Sequence, residues 1–376
     1  MEKSLRILID LSYILNENDL NKSTAIYVQR FLDNLSIDKQ NFILFVREST
    51  YNYFSTKYGK QIRQILIFQE SKLINISFIK SLVDAHLWQK QVNSIDCDVV
   101  YIPFTWIYNS LKVNKPKVTT IHDLRPLRET QIKRFRSIVL GLFRYYFRKA
   151  ADNADLVITI SEFVKEDVLD SLKTKTSVEV VHNGIPIGTP QHGISELAGK
   201  KYILYVNTLT EYKNVRTLLQ AFALLKRNDL YLAIVGKETD FWRVACSPLL
   251  NDKIVHLKFV SDAELVWLYC NALLFVTPST KEGFGYTPAE AGMYGCPIIS
   301  TKCEALPETT LHEAYYYENP FDENELAEKI DDVLSDNNET NRMALAEKIK
   351  KDFRTEYDVH HFSTHIMNAI TSVGTK

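Results

Sequence analysis

Several motifs that would place this chain among common α/β proteins are missing from it. No G-x-G-x-x-G follows an early apolar strand, so the pyrophosphate-binding turn of a dinucleotide oxidoreductase has no counterpart. No G-x-x-x-x-G-K-[ST] occurs, which excludes the phosphate loop of an NTPase. The five cysteines are odd in number and form no C-x-x-C pair; they read as free, buried thiols of a reducing compartment. No zinc framework is visible: His361 and His365 stand four apart on an expected helix without a third ligand at metal spacing, as on a polar helix face. An excess of one charge is absent too, with 45 Lys and Arg against 46 Asp and Glu, which argues against a nucleic-acid partner. No apolar run approaches bilayer length, and the opening MEKSLRILID reads as a first strand ending at Asp10, not a signal peptide. The expectation is a soluble, cytoplasmic protein, at most peripheral to the inner face of the cell membrane.

What is present is alternation. A chain of 376 residues is too long for one ordinary core, so two domains are expected. Short apolar strands are expected at Leu5 to Ile9, Phe42 to Val46, Val99 to Ile102, Val118 to Ile121, Leu156 to Ile160 and Val178 to Val181. Helical patterns lie between them, as in Ala25 to Leu35, where Ile26, Phe31 and Leu35 recur at helical spacing. This implies βαβ units and a parallel sheet. The run NGIPIGTPQHGISELAGK, Asn183 to Lys200, is dense in Gly and Pro and reads as a linker. Strands resume at Tyr202 to Val206, Leu230 to Val235, Ile254 to Phe259, Ala272 to Val276 and Ile298 to Ile299, with a capping box at Ser261 and Glu264. The expected organisation is α/β: two doubly wound, Rossmann-like domains facing a cleft, over residues 1–184 and 201–351, with a linker at 185–200. A helical segment, 352–376, returns to the first domain.

The richest stretch is Glu282-Gly283-Phe284-Gly285-Tyr286-Thr287-Pro288-Ala289-Glu290. It follows a buried strand and leads into a helix expected to end at Gly295. Thr287, Pro288 and Glu290 have the form of a capping box with proline at the first helical position. The turn leaves backbone N–H groups pointing out of a helix N-terminus, a ready anion site. Capping alone accounts for Glu290. Glu282 lies just past a strand's carboxyl end, where open parallel sheets bind ligands; it is either a ligand-facing group or an ordinary solvated loop carboxylate.

The run PSTKEGFGYTPAEAGMYGCPIIS, Pro278 to Ser300, resembles the signature of retaining glycosyltransferases of the two-Rossmann-domain (GT-B) fold, family 4. Their pattern is a glutamate, x-F-G, and a second glutamate eight residues after the first, as Glu282 and Glu290 stand here. Other pieces fall in the family's order: Thr120-Ile121-His122-Asp123, Val181 to Ile185, Lys213-Asn214, Phe259 to Tyr269 and Ala305 to Glu308. The resemblance implies an enzyme that moves a hexose from a nucleotide-diphosphate sugar to a glycan or lipid-linked acceptor in surface-polysaccharide synthesis. Configuration would be retained, with no metal and no cofactor beyond the donor. Overall likeness to mannosyl-transferring members points to GDP-mannose first and a UDP-sugar second. It further implies that Glu282 contacts the transferred sugar and supports charge at its ring, with His122 on the reacting face from the acceptor-side first domain. Glu290 would hold the donor ribose. Lys213 would neutralise the leaving diphosphate, with Gly283, Phe284, Gly285, Tyr286, Thr287 and Thr208 around the donor. Taken alone, His122 reads as a hydrogen-bonded structural histidine; its motif context reverses that.

The chain departs from that family in places. Asn21 to Tyr27 (NKSTAIY) has no glycine where relatives carry a Gly-rich turn, and Asn207 and Tyr212 stand where they have Gly and Arg. The missing cation then either weakens donor binding or shifts its task to Arg216 or Arg125. These departures suggest a rival reading, a non-catalytic nucleotide-sugar-binding or partner subunit of the same fold. Asp96-Cys97-Asp98 resembles the metal-binding D-x-D of another glycosyltransferase fold, but it precedes its strand and is read as coincidence. From Gln131 to Ala151, Lys133, Arg134, Arg136, Arg144, Arg148 and Lys149 interleave with aromatic residues. That segment is read either as contact with an anionic membrane or as a surface helix whose aromatics pack on its own domain.

Overall fold

The computed structural model describes residues 5–35, 41–71, 77–128, 136–190, 193–335 and 339–375. The chain forms two compact units, Met1–Gly184 with Val359–Lys376, and Ile185–Asp358.

In the first unit the strands are β1 (Ile7–Asp10), β2 (Phe42–Val46), β3 (Gln64–Ile67), β4 (Val99–Ile102), β5 (Lys117–Ile121), β6 (Leu156–Thr159) and β7 (Val178–Val180). All pairings are parallel, in the order β3-β2-β1-β4-β5-β6-β7, with Ile7 opposite both Phe42 and Val99. Strands β1, β2, β4, β5 and β6 are buried along their whole length, which is why they read as unbroken apolar runs. The helices between them are α1 (Ser23–Asp33), α2 (Glu48–Tyr58), α3 (Ser77–Ser94), α4 (Arg125–Arg128), α5 (Arg136–Asp152) and α6 (Glu162–Leu172). Ser161 caps α6, accepting from the Val164 amide at 3.2 Å. Arg6 engages both Asp96 and Asp98, so that acidic pair is a structural clamp below β4.

The second unit repeats the plan. Its strands are β8 (Lys201–Val206), β9 (Leu230–Val235), β10 (Ile254–Leu257), β11 (Leu274–Thr277), β12 (Ile298–Thr301) and β13 (Tyr315–Tyr317), parallel in the order β10-β9-β8-β11-β12-β13. Helices α7 (Val215–Leu224), α8 (Asp262–Asn271), α9 (Tyr286–Met293), α10 (Leu306–Thr309), α11 (Glu323–Ser335) and α12 (Glu339–Glu356) cover it. The capping box of Ser261 and Glu264 opens α8 as expected. One core face gathers Leu218, Phe222, Leu232, Trp242, Val276 and Ile330. Helix α12 lies so close to α9 that a Cβ on Gly292 would stand 2.1 Å from the Phe353 ring; glycine is required there by contact.

The C-terminal segment expected from residue 352 divides in two. Helix α12 runs unbroken to Glu356 within the second unit, and the return begins with α13 (Val359–Gly374). That helix buries Phe362, Ile366 and Ile370 in the first unit, with the Phe362 ring 5.1 Å from that of Tyr27. Of the cysteines expected to be buried, Cys97, Cys246 and Cys296 are, whereas Cys270 is exposed and Cys303 half-exposed. Among the described residues no helix is long and apolar enough to cross a membrane.

Lys117 is an oddity of the first core. It is 1 % exposed, and its ammonium donates to the Leu111 carbonyl at 3.1 Å. Burial pushes this amine down to about 7. Between that value and the ordinary lysine value the unfolded chain binds a proton that the folded one does not, so stability rises with pH across the window. Denaturant titrations at pH 7.5 and 9 are expected to show this rise in the wild type, up to about 1.4 kcal/mol per pH unit from this group. The rise should be reduced by that amount in Lys117→Met; equal slopes in the two proteins refute the assignment.

Candidate active site

The strand order of the second unit reverses between β8 and β11, so the loops after these neighbours leave in opposite directions and open a crevice at their carboxyl ends. The residues of interest sit on those two loops. After β8 the chain makes a short turn, Glu211–Lys213, then passes through Asn214 in the left-handed region (φ 54°) into α7. After β11 it runs through Ser279 to Gly285 into α9. Thr280 ties the loops together, donating its amide and hydroxyl to the Tyr212 carbonyl at 2.9 and 3.1 Å.

The Lys213 ammonium meets the Glu282 carboxylate at 2.5 Å, with side chains only 9 % and 10 % exposed. The same ammonium lies 5.2 Å from the centre of the Tyr212 ring, within cation–π range. Glu282 is therefore a buried, paired carboxylate; the alternative of a solvated loop glutamate does not hold. Its backbone is fixed on both sides: its N–H donates to Glu304 Oε2 at 2.6 Å, and its carbonyl accepts from the Ala305 amide at 3.2 Å.

Helix α9 starts earlier than the sequence pattern implies. Gly285, at φ 99°, is its N-cap, with no side-chain cap, and Tyr286 is the first helical residue. Thr287 and Pro288 are consequently already inside the first turn, and the expected capping box does not form. The left-handed glycine accomplishes the change of direction that a Thr cap would otherwise make. Glu290 lies beyond the first turn and accepts from the buried Tyr269 hydroxyl at 3.1 Å. Burial, together with this carboxylate, pushes the Tyr269 phenol well above its ordinary value, so it remains a donor. Phe284 is buried, its ring 5.5 Å from that of Tyr357, and its carbonyl accepts from the Thr309 hydroxyl. Thr208 is exposed, its amide held by Asn207 Oδ1 at 2.9 Å. Lys213, Glu282, Gly283 to Thr287, Glu290 and Thr208 thus belong to one unit, on β8 and β11 loops or the helix that follows. Tyr269 and Glu304 were not legible as participants, because each acts through one hydrogen bond to a residue far away in sequence.

His122 belongs to the first unit, just past the carboxyl end of β5. Its Nε2–H donates to the Pro103 carbonyl at 2.8 Å, which leaves Nδ1 as the acceptor nitrogen. The ring packs edge-on against Tyr27 at 4.7 Å. Burial pushes its pKa below the ordinary histidine value, keeping it neutral near pH 7. The glycine-free turn before α1 has its own explanation: from Leu11 to Tyr27 no residue takes a positive φ, the chain passing instead through a short 3₁₀ turn, Glu17–Asn21. Of the candidate replacement cations, Arg125 is engaged by Asp123 at 2.7 Å in its own unit, while Arg216 is exposed in the first turn of α7.

In the basic segment, Lys133, Arg134 and Phe135 lie outside the described residues, and α5 begins at Arg136. Phe147 is buried and Phe143 rests 5.7 Å from Trp106, so part of the aromatic set packs on its own domain. Ile138, Leu142 and Tyr145 are 61, 37 and 56 % exposed and fall on one helix face, flanked by exposed Arg144 and Arg148.

Comparison with known proteins bears on this arrangement. A family profile described as "Glycosyltransferase Family 4" matches residues 44–188, and one described as "Glycosyl transferases group 1" matches residues 190–352. The O-antigen chain mannosyltransferase B of Escherichia coli is 30 % identical over 177 residues, 43 % of this chain and 46 % of that protein. The chain thus matches less than half the length of that relative. Among solved structures, a sucrose-phosphate synthase from Thermosynechococcus elongatus superposes with a TM-score of 0.77 at 17 % identity, over 98 % of this chain and 99 % of that one. HepE of Anabaena in complex with UDP-glucose gives 0.70 at 15 % identity, over 98 % and 100 %. The two profiles abut and together take in every strand except β1 and the start of β2; the chain belongs to the family 4, or group 1, glycosyltransferases and has their GT-B fold.

Proposed function

We propose that this glycosyltransferase transfers a hexose, mannose first, from a nucleotide-diphosphate sugar to a glycan or lipid-linked acceptor of a surface polysaccharide, on the cytoplasmic side of the membrane. The observation that carries this reading is the buried Lys213–Glu282 pair at the sheet's reversal point. A diphosphate there draws the ammonium to itself, and Glu282 is released to accept hydrogen bonds from sugar hydroxyls and to offset positive charge developing at the ring. The amides of Gly283 to Thr287 at the start of α9, with Thr208 nearby, complete the anion side. Glu290 accepts from the ribose diol, oriented by Tyr269; a carboxylate has room for several such bonds. For His122 the reading is a sugar-facing imidazole, with Nδ1 as its acceptor.

In the proposed reaction the bond from the anomeric carbon to the diphosphate oxygen breaks, and the acceptor oxygen bonds to that carbon from the same face. The acceptor's proton passes to the departing diphosphate, so configuration is retained and neither a metal nor a further cofactor enters. Mannose is supported by the name of the Escherichia coli relative; a UDP-sugar is the alternative donor, supported by the HepE complex. The exposed Ile138, Leu142 and Tyr145 face with its flanking arginines supports seating on an anionic bilayer, where such lipid-linked acceptors reside.

Incubation with a panel of nucleotide sugars, following nucleoside diphosphate release in the presence of lipid-linked and oligosaccharide acceptors, is expected to give turnover with GDP-mannose. In Glu282→Gln it should fall by about 10²–10³-fold at a temperature where circular dichroism shows the variant folded, its melting temperature being lowered because Lys213 is left buried without its counter-charge. Donor binding without turnover on a broad acceptor panel would favour the partner-subunit reading. For the membrane face, sedimentation with phosphatidylglycerol-containing vesicles at low salt is expected to retain the wild type. It should lose Ile138→Ser/Leu142→Ser/Tyr145→Ser; equal recovery of both proteins overturns that part.

A further inference from the structure

Glu304 occupies the turn between β12 and α10 with φ 49°, the left-handed region in which a side chain is strained and glycine is not. A glycine would make this turn without strain, so the side chain earns its place by what it touches. Its carboxylate accepts the Glu282 N–H at 2.6 Å, while the next residue, Ala305, donates its amide to the Glu282 carbonyl at 3.2 Å. Both polar backbone groups of the glutamate central to the proposed reaction are therefore held by two consecutive residues of another loop. Neighbouring ties run the same way: the Thr301 hydroxyl donates to the Ser279 carbonyl at 2.7 Å, and the Thr309 hydroxyl to the Phe284 carbonyl. The Glu304–Glu282 bond joins a carboxylate to a backbone amide, and a charged acceptor makes it strong.

We infer that Glu304 is a positioning residue for Glu282. It pins the backbone so that, when a diphosphate takes Lys213, the Glu282 side chain swings and the loop does not follow. It also occupies the Glu282 N–H, which confines the anion-binding amides to Gly283 and beyond. A placement error of about 1 Å in such a group costs up to on the order of 100-fold in rate. This role rests on the proposed function of Glu282, but the hold itself is measurable without turnover.

The test uses Glu304→Gly, which relieves the left-handed strain and removes the acceptor, beside Glu304→Gln, which keeps an acceptor. In the free protein, amide hydrogen exchange at Glu282 is expected to be at least about tenfold faster in Glu304→Gly and near wild type in Glu304→Gln. With the donor that the wild type turns over, kcat should fall about 10- to 100-fold in Glu304→Gly, with donor KM changed by less than about threefold. Its melting temperature should equal or exceed that of the wild type, and Glu304→Gln should recover most of the rate. Unchanged exchange in Glu304→Gly overturns the inference, as does faster exchange with undiminished kcat, or Glu304→Gln performing no better than Glu304→Gly. If the wild type turns over no donor, the proposed function fails separately, and amide exchange alone decides whether Glu304 holds Glu282.

Discussion

The buried ion pair of Lys213 and Glu282 is the interaction around which the second unit's loops are arranged. Taking two charges out of water costs several kcal/mol each, and their mutual attraction recovers this only with good geometry and further hydrogen bonds. Such a pair is poor evidence for stability and better evidence for use. Here the geometry is imposed from outside the pair: Thr280 fixes the Tyr212 carbonyl next to Lys213, and Glu304 with Ala305 fixes the peptide of Glu282. The loops after β8 and β11 are bound to each other and to the β12 turn, so the charges meet without either side chain having to be ordered on its own.

That arrangement depends on the layers beneath it. Strand β11 is buried along its length and delivers the Ser279–Gly285 loop from a fixed point. Gly285 then turns the chain into α9 without a side-chain cap, and Gly292 lets α12 pack against that helix at Phe353. Tyr357, two residues before α13 begins, stands against Phe284 and donates to the Thr309 carbonyl at 2.8 Å. The segment joining the units therefore lies directly behind the glycine-rich turn within the second unit. A substitution at Tyr357 acts on the site through Phe284, not through any contact with a ligand.

What the sequence disclosed, and what it hid, follows from where each signal resides. Fully buried parallel strands write themselves as apolar runs, so Phe42–Val46, Val99–Ile102 and Leu230–Val235 are found with their observed bounds. The edge strands β3 and β13 are only partly buried, and β13 is three tyrosines long, so neither stood out from its surroundings. The alternation, the reversal-point loop and the pairing of Glu282 with a helix start were legible because they are local. The expected capping box does not form because Thr287, Pro288 and Glu290 satisfy a local rule that Gly285, two residues before Thr287, overrides through its backbone conformation. Lys213 with Glu282, Tyr269 with Glu290, and Glu304 with Glu282 are contacts across 69, 21 and 22 positions, for which a single sequence carries no periodic trace.

Tyr212 shows how a departure from relatives can be accommodated. Where the family resemblance leads one to expect a second cation, this chain places an aromatic face 5.2 Å from the Lys213 ammonium. A ring attracts a cation through its quadrupole but offers it no competing carboxylate and donates nothing to a phosphate from its face. The two groups flanking Lys213 consequently differ in kind: Glu282 neutralises it, and Tyr212 steadies it without neutralising it. If, as proposed, an anion displaces Glu282, the ammonium would retain its aromatic neighbour and its place. One lysine so held loses the second charge of a Lys and Arg pair but keeps its direction. In the proposed reaction, affinity for the diphosphate is the quantity such a replacement would lower, whereas the position of the charge along the breaking bond would be preserved.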